Sequence, residues 1–369
     1  MPPRPTKRLA LLALLLLTLF ALIPASTNAS RSIPEVFVDT DIGADDAIAI
    51  AWLLEQRNVK LAGFSTVQGN TTVENATRNL LTLFAAARKN YPVTIGAAQP
   101  LTGNRIRTGA LVHGPDGLWF QQQPVNISNL PTDAPAAIAA QARKNPGTVF
   151  IALGPLTNFA QAVQRFPADL AGVRLIALGG GTRGNVTPDA EFNIYDDPSA
   201  LEIVLGSTMK VELVTLDAFD QVRVDPKRFA RDLQRRKDAL GTLLLNVFNA
   251  YTQALTLGGE PDVGIPDAAA VIYALHPEIT DPTSALVMVD TSDGLMRGAT
   301  AIGTTLGQRV ALIAGQEELG DLADRAFSEP GFDFQAELGA ILARQPDNAL
   351  VILDLDEKKA TRFLEQDLR

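Results

Sequence analysis

Apolar positions along the chain fall into two alternating periods. Val36–Val38 is a short β-prone run that enters Asp39-Thr40-Asp41-Ile42-Gly43-Ala44-Asp45-Asp46, after which Ala47–Leu54 reads as a helix. Leu61–Val67 reads as a second strand ending in Gln68-Gly69-Asn70, and Thr72–Lys89 as a helix with Leu80, Leu81, Leu83 and Phe84 apolar. Val93–Ile95, Val149–Leu153, Val173–Leu178, Val211–Thr215 and Leu350–Leu353 are further strands. Helices are expected at Ala134–Lys144, Phe159–Arg165, Ser199–Gly206, over most of Lys227–Leu255, at Asp267–Leu275 and at Glu357–Gln366. Ala285–Val289 and Ala299–Ile302 read as an antiparallel pair turning at Ser292-Asp293-Gly294. Strands alternating with helices predict an α/β fold of Rossmann-like type, a mostly parallel sheet covered by helices on both faces. In such sheets ligands bind beyond the carboxyl ends of the strands. The polar clusters of this chain follow predicted strands or open predicted helices.

Composition changes this picture at the N-terminus. Arg4, Lys7 and Arg8 precede the apolar run Leu9–Ile23 and the small, polar stretch Pro24–Ala29. Residues 1–29 therefore read as a cleaved secretory signal, which predicts an exported, periplasmic or secreted protein with no membrane association afterwards. Residues 30–369 are expected to form one α/β domain. An insertion is expected at about 308–348, which is rich in Glu and Asp and weak in strand signals. Removing 1–29 takes three basic residues and no acidic one, so the formal charge of −9 becomes −12. Such a surface disfavours nucleic acid and anionic membranes as partners. With no cysteine, disulfides and thiolate metal sites are excluded.

The run Asp39–Asp46 carries the candidate chemistry. Asp39 and Asp41 are two apart and share one side of an extended chain. Gly43 permits a turn, and Asp45 or Asp46 suits the start of the next helix. Four carboxylates in eight positions repel one another unless a positive group joins them, and a hard divalent cation takes oxygen ligands. An EF-hand does not fit, because Gly43, Ala44 and Ile50 occupy positions where that loop needs Asp or Asn, Gly and Glu. A dehalogenase-type phosphatase opens with Asp-x-Asp-x-Thr/Val, and Gly43 stands at its last position. Gly179-Gly180-Gly181-Thr182-Arg183-Gly184 matches a dinucleotide-binding pattern in letters, yet Asn185-Val186-Thr187-Pro188 cannot open the helix it requires.

Asp39 through Asp46 resembles the signature of the inosine–uridine-preferring nucleoside hydrolases. Val67-Gln68-Gly69-Asn70, His113-Gly114-Pro115-Asp116-Gly117, Gly154-Pro155-Leu156-Thr157-Asn158, Gly184-Asn185 through Glu191-Phe192-Asn193, and Pro266-Asp267-Ala268 follow in the family's order. The resemblance implies Ca²⁺-dependent hydrolysis of the N-glycosidic bond of a ribonucleoside to free base and ribose. It implies metal ligation by Asp41, Asp46, Asp267 and the carbonyl of Leu153. Asp45, Asn70, Asn185, Glu191 and Asn193 would hold the ribose hydroxyls, and Phe192 would line the pocket. Asp41 is the natural proton acceptor, and His113 is a pocket residue able to touch the substrate. The resemblance also suggests a homodimer or homotetramer. Well-known members carry a histidine before the position of Asp267, implicated in protonating the leaving base, and this chain has Pro266. His113, Tyr251 or a water could replace that acid. The departure opens an alternative, a non-catalytic or altered-specificity ribosyl-binding protein.

Overall fold

A computed structural model describes residues 33–103, 109–256 and 262–369. The signal-peptide expectation for residues 1–29 lies outside the described residues. Eleven strands are found among those described: β1 Glu35–Thr40, β2 Lys60–Thr66, β3 Val93–Ile95, β4 Val149–Ala152, β5 Arg174–Leu178, β6 Lys210–Val214, β7 Arg223–Val224, β8 Val263–Gly264, β9 Thr283–Val289, β10 Thr300–Gly303 and β11 Ala349–Ile352. Nine form one sheet in the order β10-β9-β11-β6-β5-β4-β1-β2-β3, and β7 and β8 pair separately and antiparallel. From β11 to β3 all neighbours are parallel. β9 runs antiparallel to β11, and β10 antiparallel to β9, which is the small C-terminal antiparallel addition expected from the sequence.

Strand alternation divides the interior into two cores. Val36, Val38, Ile151, Ile176 and Leu178 face the helices Ala44–Glu55, Ala239–Thr256 and Pro266–Leu275. Phe37, Phe150, Ala152, Leu175 and Ala177 face the opposite layer, with Ala134–Lys144, Thr157–Arg165 and Pro198–Leu205. The helix Ala44–Glu55 is buried on every side from Ala44 to Leu54. Small alanines let it pass between neighbours, which is how a sequence apolar all round sits in a helix.

Two stretches take a more particular form than the sequence shows. The stretch 227–255 is broken into Pro226–Arg235 and Ala239–Thr256, with Lys237 at φ 54° between them. The acidic stretch 308–348 is helical, as Leu306–Ile313, Gln316–Ser328 and Phe334–Arg344. These helices bury Val310, Ala314, Leu322, Leu338 and Ile341 in a small cluster of their own.

The helix Val73–Ala87 begins on Thr72, whose Oγ1 accepts from Asn75 N at 3.3 Å. Thr72→Ala is expected to lower the unfolding free energy by about 1 kcal/mol, read from chemical denaturation at constant m-value.

Candidate active site

Four adjacent parallel strands deliver the site. Asp41 follows β1, Asn70 follows β2, Leu153 follows β4, and Glu191 and Asn193 lie in the loop after β5. Asp45 and Asp46 occupy the first turn of Ala44–Glu55, where Gly43 is the N-cap. Asp267 is in the first turn of Pro266–Leu275, behind Pro266 at its first position. Carboxylates therefore stand at two helix N-termini, where the backbone dipoles favour negative charge. Asp45 and Asp267 border a cavity of about 640 Å³, lined also by Asn70, His113, Leu153, Asn185, Glu191, Phe192, Asn193 and Tyr251.

Asp45, Asp46 and Asp267 are all buried and each offers an oxygen within 4.8 Å of the others. Asp46 Oδ1 accepts from Thr40 Oγ1 at 2.6 Å, and its Oδ2 accepts from Gly43 N at 2.9 Å and Asn70 Nδ2 at 3.0 Å. Asp41 is fully buried beside this trio, not within it. Its Oδ2 accepts from Asn70 N at 2.7 Å and its Oδ1 from Asn70 Nδ2 at 3.3 Å. Asp45 joins the trio, whereas the resemblance placed it among the ribose-holding residues.

Burial is the largest cause of the raised carboxyl pKa values, and the neighbouring carboxylates add to it. Asp46 is pushed up to about 7, and Asp41 and Asp267 lie well above the usual carboxylate range. His113 Nδ1 lies 3.4 Å from Asp45 Oδ1. Burial lowers the His113 pKa against the pull of Asp45. The neutral ring accepts Ala44 N at Nδ1, 3.2 Å away, which leaves its proton on Nε2. The approach to Asp45 is then not an ion pair. The protein supplies little positive charge here, and every donor atom in the trio is oxygen. That set fits a hard cation.

The neutral donors are equally well placed. Tyr251 stacks on His113 with ring centroids 5.9 Å apart, and its hydroxyl donates to Gly264 O at 3.1 Å and approaches Asp45 Oδ2 at 3.3 Å. Burial, then the charge of Asp45, raises the Tyr251 pKa well above the usual phenol value. Asn193 Nδ2 donates to Leu153 O at 2.8 Å and Leu178 O at 3.1 Å, tying together the ends of β4 and β5. Glu191 is pushed up to about 7 by burial, although its oxygens accept from Gly180, Asn193 and Ile194 N. Asn185 Oδ1 accepts from Phe192 N at 2.9 Å.

Asp39 leaves the acidic cluster. It is buried, with Oδ1 accepting from Ser65 Oγ and Asn158 Nδ2 at 2.5 and 2.8 Å. Thr40, between two aspartates, was not singled out in the sequence, yet it positions Asp46. A hydroxyl residue at the last strand position was the available signal.

Oxygen donors suited to a hard cation thus stand beyond the strand ends of a Rossmann-like α/β protein. The pattern of the family described as inosine-uridine preferring nucleoside hydrolase matches residues 36–362. The chain is 33% identical over 276 residues to the probable uridine nucleosidase 2 of Oryza sativa subsp. japonica, covering 73% of this chain and 81% of that protein. It is 34% identical over 276 residues to the non-specific ribonucleoside hydrolase RihC of Salmonella newport (strain SL254), covering 72% of this chain and 87% of that protein. Among solved structures it is similar to the plant nucleoside hydrolase PpNRh1 enzyme, with TM-score 0.73 and 26% identity over 91% of this chain and 99% of that one. The chain belongs to the inosine-uridine preferring nucleoside hydrolase family and is an N-glycosyl hydrolase.

Proposed function

We propose that this protein hydrolyses the N-glycosidic bond of ribonucleosides to free base and ribose, with Ca²⁺ held by Asp41, Asp46, Asp267 and the Leu153 carbonyl. The observation that carries the reading is the meeting of Asp45, Asp46 and Asp267 oxygens within 4.8 Å of one another, with Asp45 and Asp267 lining the cavity. Calcium, when bound, lowers the pKa of a water and neutralises the carboxylates. Asp45 stands close enough to join these ligands while holding a ribose hydroxyl. Asn70, Asn185, Glu191 and Asn193 orient the sugar, and Phe192 packs against it. Cleavage builds positive charge on the ribose, which a ring of buried carboxylates favours. Asp41 accepts the proton of the attacking water. With Pro266 carrying no titratable group, the neutral Nε2–H of His113 is the donor we assign to the substrate. The basic and apolar runs of residues 1–29 support export of the mature enzyme.

The test is a ribonucleoside panel assayed for free base and reducing sugar, with and without a calcium chelator. Turnover of at least one nucleoside, slowed by the chelator and restored by Ca²⁺, is expected. Pro266 favours one rival, a binder without turnover, which calorimetry would reveal as nucleoside binding by protein that releases no ribose.

A further inference from the structure

We propose that Arg297 is a positioning residue for the ribose-holding turn, acting from the segment that leads into β10. The inference rests on the function proposed above. The five-residue helix Phe192–Asp196 bears Phe192 and Asn193, and Glu191 is its N-cap. A helix this short is not stable by itself, and its last carbonyls lack partners within it.

Four consecutive residues of a distant segment hold this loop. Arg297 Nε donates to Tyr195 O at 3.1 Å and Nη2 to Asp196 O at 3.2 Å. Its planar fork thus caps the helix C-terminus, where a cation also meets the negative end of the dipole. The guanidinium lies 5.8 Å from the Tyr195 ring centroid. Gly298, at φ +74°, lies flush on the helix, since a Cβ there would come within 2.5 Å of Tyr195 Cα. Ala299 forms an antiparallel bridge with Ala190. Thr300 Oγ1 accepts from Gly181 N at 2.9 Å and donates to Gly181 O at 2.7 Å. The adjacent Gly180 N donates to Glu191 Oε2 at 3.0 Å. One segment therefore fixes both ends of the turn: Glu191 through the 180–181 backbone, and Asn193 through the helix C-terminus. The Arg297 side chain is 12% exposed, while its ion-pair partner Asp293 is 94% exposed. The fork is committed to the turn, and Asp293 is peripheral.

The experiment compares Arg297→Ala, Arg297→Lys, Thr300→Val and Asp293→Ala with the wild type, using a ribonucleoside that the wild type cleaves. Kinetics are read well below each unfolding midpoint, together with amide hydrogen exchange. Arg297→Ala and Thr300→Val are expected to lower kcat/KM about tenfold or more, the scale set by removing supporting hydrogen bonds. Arg297→Lys should recover part of the loss, since an ammonium reaches one carbonyl but not two. Asp293→Ala should stay within about twofold, as exposed pairs contribute little. Exchange at Gly180, Asn193 and Ile194 N–H should quicken in the two impaired variants and not in Asp293→Ala. Lowered melting temperatures with unchanged kcat/KM would overturn the inference, and so would unchanged exchange at those three amides. If Arg297→Ala does not fold, Thr300→Val and Arg297→Lys decide by the same readouts. A wild type that cleaves no ribonucleoside refutes the proposed function, while the exchange comparison still judges the hold on the turn.

Discussion

Asp267→Asn is expected to lower kcat/KM by on the order of 10³-fold while raising the melting temperature of the protein in chelator. Both effects come from one charge. Asp267 is buried with Asp46, Asp45 and Asp41 as the neighbours that raise its pKa after desolvation. A carboxyl whose pKa is raised on folding stabilises the folded state below its unfolded value near 3.8, and that stability is lost as pH rises through the folded pKa. At neutral pH, far above the unfolded value, the group therefore opposes folding unless a cation joins it. Asparagine keeps the shape and removes the repulsion. The helix-dipole benefit forgone at the first turn of Pro266–Leu275 is about 0.3–1 kcal/mol, smaller than repulsion among three buried neighbours. With metal the sign reverses. A ligand at a hundred times its Kd stabilises the wild type by about 2.7 kcal/mol, and the variant should lose most of that gain. Calorimetric titration with Ca²⁺ beside thermal unfolding checks both halves. Undiminished calcium binding by Asp267→Asn would remove Asp267 from the metal site. Stability gained at the expense of activity is the usual mark of a functional group held against its own electrostatics.

The sequence exposed most of this because its local signals agree with the fold. β1 alternates Val36 and Val38 with Phe37, and the two sets enter opposite cores. The carboxylates arrive where a parallel strand ends, as the topology requires. Proximity along the chain misled at Asp39, which belongs to Ser65 and Asn158 on neighbouring elements. Two residues on one side of a strand need not share a site once the strand ends between them, and β1 ends at Thr40. Leu153 is visible only through a resemblance, because a carbonyl has no side-chain signature. Residues 308–348 lacked strand character because they are helices with a thin apolar face, and low hydrophobicity alone does not separate loop from surface helix. The hold of Arg297–Thr300 on the 180–196 loop spans over a hundred positions and has no local pattern at all.

Asp41→Asn is expected to reduce turnover by about 10²- to 10⁴-fold, the range for losing a general base, and saturating Ca²⁺ should not restore it. The variant separates a ligand's role from a proton acceptor's. The tight oxygen trio forms without Asp41, whose carboxylate is instead pinned by the backbone and side chain of Asn70. An asparagine there still offers an oxygen to a cation, but it cannot take a proton from water. Gly69→Ala provides the complementary case, with the carboxylate kept and its position lost. A Cβ on residue 69 would fall 2.0 Å from Asp41 Oδ2 and 2.9 Å from Pro155 Cδ. One on residue 154 would lie 2.9 Å from Asp41 Cγ, so the carboxylate sits between two bare backbones and has little room to yield. Displacing it breaks the Asn70 hydrogen bond, and misplacement of this size costs on the order of 10²-fold in rate. Steady-state kinetics across a calcium series measures both variants. If excess calcium returned Asp41→Asn to wild-type turnover, Asp41 would be a metal ligand alone, and the proton acceptor would have to be sought elsewhere in the cavity.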